Sequence, residues 1–221
     1  MDLVHSALLR AAVAAVFLIS LGALIGLQMD DSRTNYLQNQ LRQTDLQSEM
    51  FVVTNNYLEE SSQNYCRVVK DQIPVLARQN AEIGNNLQAF SSQSISEQQN
   101  YRYIQREYYV SQLKLYNMLK SYNDRCNANA TLIFFFFDDS ANSRRQGAVL
   151  TEYRETVDNQ TYVFSYNLEA NNSQVLQLLR TDYQITDGPS IVINGNRTYR
   201  RYVPLKELQQ ILGGGSRGGR T

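Results

Sequence analysis

Histidine occurs once in the 221 residues, cysteine twice and proline three times, and lysine plus arginine equal aspartate plus glutamate. Each scarcity excludes something. A chain without net charge offers no basic field to hold a nucleic acid, whose binding is dominated by phosphate contacts. The single histidine is His5, so no His/Cys cluster has zinc spacing, and no set of carboxylates has the spacing of a calcium loop. No metal or other cofactor is therefore expected. What the chain has instead is Gln, Asn, Ser and Tyr in abundance, arranged in segments of different character.

One long apolar run stands near the N terminus. From Ala11 to Leu27, "AAVAAVFLISLGALIGL" carries no charge and Ser20 is its only polar side chain. At about 1.5 Å per residue it spans roughly 25 Å, and adding Ala7 to Leu9 with Arg10 snorkelling brings it to a hydrocarbon core of about 30 Å. Arg10 before it and Asp30 and Asp31 after it favour a cytoplasmic N terminus. A cleaved signal peptide is the alternative, but "IGLQMDD" is a poor cleavage site. The expectation is a signal anchor over residues 1–29, with the rest of the chain outside the cell membrane it crosses once. Asn-x-Ser/Thr triplets at Asn129, Asn159, Asn171 and Asn196 are compatible with export as possible glycan sites.

Residues 30–126 read as a helical hairpin, a stalk. Tyr36, Leu37, Leu41, Leu46, Met50, Val53, Tyr57 and Leu58 recur at spacings of three to five, helical but short of a clean heptad. A second helical run passes through Tyr101, Ile104, Tyr108, Leu115, Met118, Leu119 and Tyr122, and the bend falls near Ser91 to Ser96. Pro74 predicts a kink or a restart in the first arm. Antiparallel arms bring Cys66 and Cys126 to heights that differ by roughly 9 Å, a mismatch that a Pro74 kink and the end of the second helix can absorb, so a disulfide is expected that would stabilise by about 4 kcal/mol. Two unrelated buried thiols are the alternative, and the wide separation gives no Cys-x-x-Cys reactivity. Tyr101, Tyr108 and Tyr122 either face a partner or pack on the first arm.

At Thr131 the periodicity changes. "TLIFFFF" is a continuous apolar run of strand length, as expected of a strand covered on both faces. "SRRQGAVLTEYRETV" reads as a helix, "TYVFSYNLE" as a strand and "NSQVLQLLRTDYQI" as a helix capped by Asn171, Asn172 or Ser173. "PSIVING" and "RTYRRYV" form strands around Asn194-Gly195, and "PLKELQQIL" is a helix with Pro204 in its first turn. The order predicts a small mixed sheet, parallel then antiparallel, with helices on both faces. Residues 213–221, "GGGSRGGRT", read as a flexible tail. The predicted fold class is thus α+β: an N-terminal transmembrane helix, a long α-helical hairpin and a C-terminal α/β/α domain over residues 129–212.

That element order, together with "DGPSIVINGNRTYRRYVPLKELQQIL" and "FFFFDDSANSRRQGAVL", resembles the thioredoxin-like family, in particular its periplasmic disulfide-oxidoreductase domains. The resemblance covers about residues 129–212. It implies a cis Pro189, a helix beginning after "DD", and Ser140 and Ser143 at the two positions of the family's Cys-x-x-Cys. A serine hydroxyl forms no mixed disulfide, and no thiol remains in this segment. Serine as a hydrolytic nucleophile needs a base, and Asp138 and Asp139 fit helix capping better. The resemblance further implies that Gly188, Pro189 and Ser190 form a groove for an extended polypeptide.

Two functions compete. The first is a non-enzymatic, membrane-anchored interaction protein with a redox-inactive head, binding a polypeptide partner or a second copy of itself. The second is a disulfide-handling enzyme that uses Cys66 and Cys126, or one whose serines at 140 and 143 have replaced cysteines.

Overall fold

The computed structural model describes residues 62–90 and 97–213 apart from 159, 171 and 172, together with Gln38, Asn39, Leu41, Arg42, Gln43, Leu46 and Glu49. The chain divides into two units, Met1–Gln40 and Leu41–Thr221. Of the first only Gln38 and Asn39 are described, both helical. Everything below concerns the second.

Helix α1 (Ser62–Phe90) forms because Tyr65, Val69, Ile73, Leu76, Ile83 and Leu87 fall on one helical face, and all six are buried. Helix α2 (Glu97–Cys126) returns beside it. Cys66 meets Cys126, Asn80 meets Ser111 and Gly84 meets Tyr108, so the residue numbers run in opposite directions and the pair is antiparallel. Of the kink or restart expected at Pro74, the restart does not occur: α1 runs through Pro74 as one helix. Pro74 and Lys70 are both exposed, so the Lys70 carbonyl that proline leaves unpaired faces water, while Ile73 and Leu76 hold the buried side together.

Four strands form one sheet in the order β2-β1-β3-β4. Strand β1 (Thr131–Phe137) pairs in parallel with β2 (Thr161–Asn167), Phe134 opposite Phe164, and antiparallel with β3 (Ser190–Ile193), Phe134 opposite Val192. Strand β4 (Arg197–Tyr199) closes the far edge. Asn194 and Gly195 have φ of 50° and 71°, left-handed values that let the three-residue loop 194–196 reverse the chain between Ile193 and its partner Arg197. Asn194 also accepts from the Leu132 N–H at 2.8 Å, which ties the turn to the start of β1.

The apolar run of β1 alternates between two cores. Leu132, Phe134 and Phe136 face the hairpin and helix α4 (Gln174–Asp182), where Tyr116 of α2 lies 4.2 Å from Phe134 between ring centres. Ile133 and Phe135 face helices α3 (Ala141–Thr156) and α5 (Leu205–Gly213), among Val149, Leu150, Tyr153 and Leu208. Each fully buried side chain of this size contributes about 1.5–3 kcal/mol. The hairpin is therefore seated on the sheet and shares its larger core.

One part of the expected fold class needs correction. Among the described residues no helix is long and apolar enough to cross a membrane. Helices α1 and α2 have the length, at 29 and 30 residues, but carry charges throughout, among them Arg67, Lys70, Asp71, Arg78 and Glu82 on α1. Over the described residues the fold class becomes an α-helical hairpin on a mixed α/β sheet with no transmembrane helix among them, and the expected single-pass localisation in the cell membrane is corrected with it. The segment Ala11 to Leu27 on which both expectations rested lies outside the described residues, as does the tail after Gly213.

Candidate functional site

The corner between β1 and α3 carries "DDSANS". Ser140 is the N-cap of α3, in extended conformation, and its hydroxyl accepts from the Ser143 N–H at 3.1 Å. Ser143, 2% exposed, donates its hydroxyl to Asp138 Oδ1 at 2.6 Å and accepts from the Asp138 N–H at 3.2 Å. Asp138 Oδ1 also accepts from the Ser140 N–H at 3.0 Å. Hydrogen bonds from Ser140 and then Ser143 pull the Asp138 carboxyl down to about 2, helped by the backbones of Ser140 and Gly188 and opposed by partial burial. A carboxylate thus occupies the N-terminal end of α3, where the helix favours an anion.

The loop before β3 closes over this corner. Gly188 is half-buried and joined to Pro189 by a cis bond, while Pro189 and Ser190 are buried. A Cβ on Gly188 would lie 2.8 Å from the Asp138 nitrogen and 2.9 Å from Ser143 Oγ, so glycine is what lets the loop approach. The Ser190 hydroxyl donates to the Asp187 carbonyl at 2.7 Å. Ser140, Ser143 and Gly188 are thus brought together, and Pro189 and Ser190 lie beneath them.

This arrangement has little nucleophilic chemistry to offer. A general base works best with a pKa near the operating pH, and a carboxylate at about 2 is far too weak to take a serine proton. His5 lies outside the described residues. Among the described residues no group of three or more His, Cys, Asp or Glu could hold a metal ion.

The cysteines sit elsewhere. Cys66 and Cys126 are bonded, with sulfurs 2.01 Å apart and Cα atoms 5.6 Å apart. Cys126 precedes β1 and Ser140 follows it, so the length of a seven-residue strand, roughly 20 Å, separates the disulfide from the serine corner. Of the glycan candidates, Asn129 and Asn196 are exposed on loops, and Asn159 and Asn171 lie outside the described residues. Tyr101, Tyr108 and Tyr122 turn inward: Tyr101 accepts from Gln105 at 3.2 Å, Tyr108 covers Gly84, and Tyr122 packs on the larger core.

Sequence reasoning missed a large opening among the described residues. A cleft of about 1310 Å³ runs along β2, the sheet's edge strand, between α2 on one side and α3 on the other, and reaches Asp138 and Ser143. Where α2 crosses this edge, Gln112 Nε2 donates to the Ser165 carbonyl at 3.3 Å and the Tyr109 hydroxyl accepts from the Asn167 N–H at 2.8 Å. Burial pushes the Tyr109 phenol pKa well up, so it stays protonated and neutral. One signal was in the sequence: Gln105 and Gln112 share the buried stripe of α2 with Ile104 and Leu115, and a glutamine at such a position needs a polar partner.

Comparison with known proteins adds no identity. No family model and no curated protein matches the chain. Among solved structures, one described as "Structure of a malarial protein" is similar over 39% of this chain and 97% of that chain, at 14% identity and a TM-score of 0.34.

Proposed function

We propose that this chain is a non-enzymatic polypeptide-binding protein whose α/β part is thioredoxin-like and redox-inactive. The observation that carries the reading is the β1–α3 corner: Ser140, Ser143 and Asp138 bond to one another there, under Gly188, where a thiol pair would be needed for exchange. The sheet order and the parallel β1–β2 pair support the thioredoxin-like part. The open cleft beside the outer edge of β2 supports the binding part. A peptide-library selection on the full chain, with the disulfide intact, should enrich a recurrent sequence. Failure to enrich any sequence over a Cys66→Ser/Cys126→Ser chain unfolded in denaturant overturns it.

The competing reading, a disulfide-handling enzyme, rests on Cys66 and Cys126 alone. Insulin reduction separates the two: the unmodified chain should show no turnover. Turnover that Cys126→Ser abolishes would establish the enzyme instead.

A further inference from the structure

The geometry points to the outer edge of β2 as the docking line for an extended, carboxylate-bearing segment of a partner polypeptide. This rests on the polypeptide-binding reading above and adds the surface and the partner's chemistry. Along β2 the N–H and C=O groups of successive residues point to opposite sides. The Leu168 N–H reaches the Phe137 carbonyl of β1, so the even-numbered residues of β2 face β1 and Val163, Ser165 and Asn167 turn their groups outward. Gln112 and Tyr109 take the Ser165 carbonyl and the Asn167 N–H, as a neighbouring strand would. Val163 N–H, Val163 C=O and Ser165 N–H remain turned toward the cleft. Proteins ordinarily cover or blunt such an edge, because it templates strand addition.

A second observation points the same way. Gln112 is 2% exposed and lines the cleft; its side chain lies against the Tyr108 hydroxyl, and its Oε1 has no hydrogen bond of ordinary geometry. A buried acceptor so poorly paired is unfavourable, and an N–H on an added strand would satisfy it. The space fits a strand better than a small molecule, since about 1310 Å³ exceeds the roughly 300–1,000 Å³ of drug-sized sites.

Charge selects the occupant. Arg102 and Arg106 line the α2 wall, and Arg144 and Arg154 the α3 wall. Four arginines thus face three carboxylates in the lining, Asp138, Asp139 and Glu169, which leaves one positive charge in excess. Successive side chains of an added strand would point to opposite walls, so neighbouring acids would each meet arginine. Arg144 and Arg154 are ten residues apart on one helix, about 15 Å, the reach of four or five strand residues.

The test is fluorescence anisotropy on the full, disulfide-bonded chain with three labelled decapeptides: a Glu-Glu-Val-Val repeat, its Lys-Lys-Val-Val counterpart, and the Glu peptide N-methylated at alternate amides. The Glu peptide should bind at least roughly tenfold tighter than either of the others. Arg102→Glu/Arg106→Glu, at exposed positions, should weaken it by about tenfold, and Val163→Pro, which removes an outward donor and leaves the β1 pairing groups in place, should do the same. Circular dichroism checks that each variant folds. Equal binding of the two charged peptides, or a folded arginine double variant with unchanged affinity, overturns the inference. If library-selected peptides bind regardless of these changes, the edge is wrong and the polypeptide-binding reading stands; if nothing binds at all, both fall.

Discussion

Asp138 is held by the side chains of Ser140 and Ser143 and by the backbones of Ser140 and Gly188, and this sets its pH behaviour. Its folded pKa is depressed from 3.8 to about 2, so its stabilisation is fully present above the unfolded value and lost as pH falls through the folded one. Discounted for solvent screening, the effect is roughly 1 kcal/mol. Urea unfolding should therefore show the unmodified chain losing about that much more than Asp138→Asn between pH 5 and pH 2; parallel losses would mean that the carboxylate is not held. Gly188→Ala should cost about 2 kcal/mol in the same measurement, because the new Cβ meets the backbone of Asp138 and cannot push it aside. Only part of this corner was legible in the sequence. "DDSANS" before a helical run announced a cap, yet nothing local says that Ser143 is buried or that residue 188 packs on it, since that contact joins segments some 45 residues apart in the chain.

Among the elements, legibility followed the strength of local patterning. "TLIFFFF" could be read as a strand covered on both faces because a continuous apolar run suits no half-exposed strand, and it lies inside the sheet between β2 and β3. At Pro74 the restart that its local rule allows does not occur, because the proline lies on the exposed side of α1 and packing on the other side keeps the helix continuous. Strand β2 offered no sign that its edge would stay open, since that depends on where α2 crosses it. Tyr109→Phe should test the crossing. It removes the acceptor for the Asn167 N–H and should destabilise by about 1 kcal/mol, with faster amide exchange at Asn167 than in the unmodified chain. Unchanged exchange there would mean that solvent already satisfies the group. The disulfide acts at this scale too: it joins residues 60 apart and ties the start of α1 to the end of α2. Its removal in Cys66→Ser/Cys126→Ser should lower unfolding free energy by about 4 kcal/mol or less in denaturant titration.

For the molecule as a whole, the change in periodicity at Thr131 marks where the elements change character, while packing continues across it. One core contains Val69 and Ile73 of α1, Tyr109, Tyr116 and Leu119 of α2, and Phe134, Phe136, Phe164 and Tyr166 of the sheet. Tyr116 packs on Phe134 and Phe164, and its hydroxyl lies where a Cβ on Gly195 would come within 2.9 Å, so α2 spans the sheet from the β2 edge to the β3–β4 turn. Without the hairpin those four sheet aromatics would lose their cover on one face, and each carries about 1.5–3 kcal/mol of burial. A loss of that size matches the whole stability of a typical domain. A fragment of residues 129–213 should therefore fail to fold alone, giving poorly dispersed amide resonances and strong binding of a hydrophobic dye. In the full chain, near-ultraviolet dichroism of the tyrosines and hydrogen exchange of the β1 amides should report one coincident unfolding transition. A folded, dispersed fragment, or a hairpin that melts well before β1, would show instead that the sheet supports itself and that the helices are an addition to it.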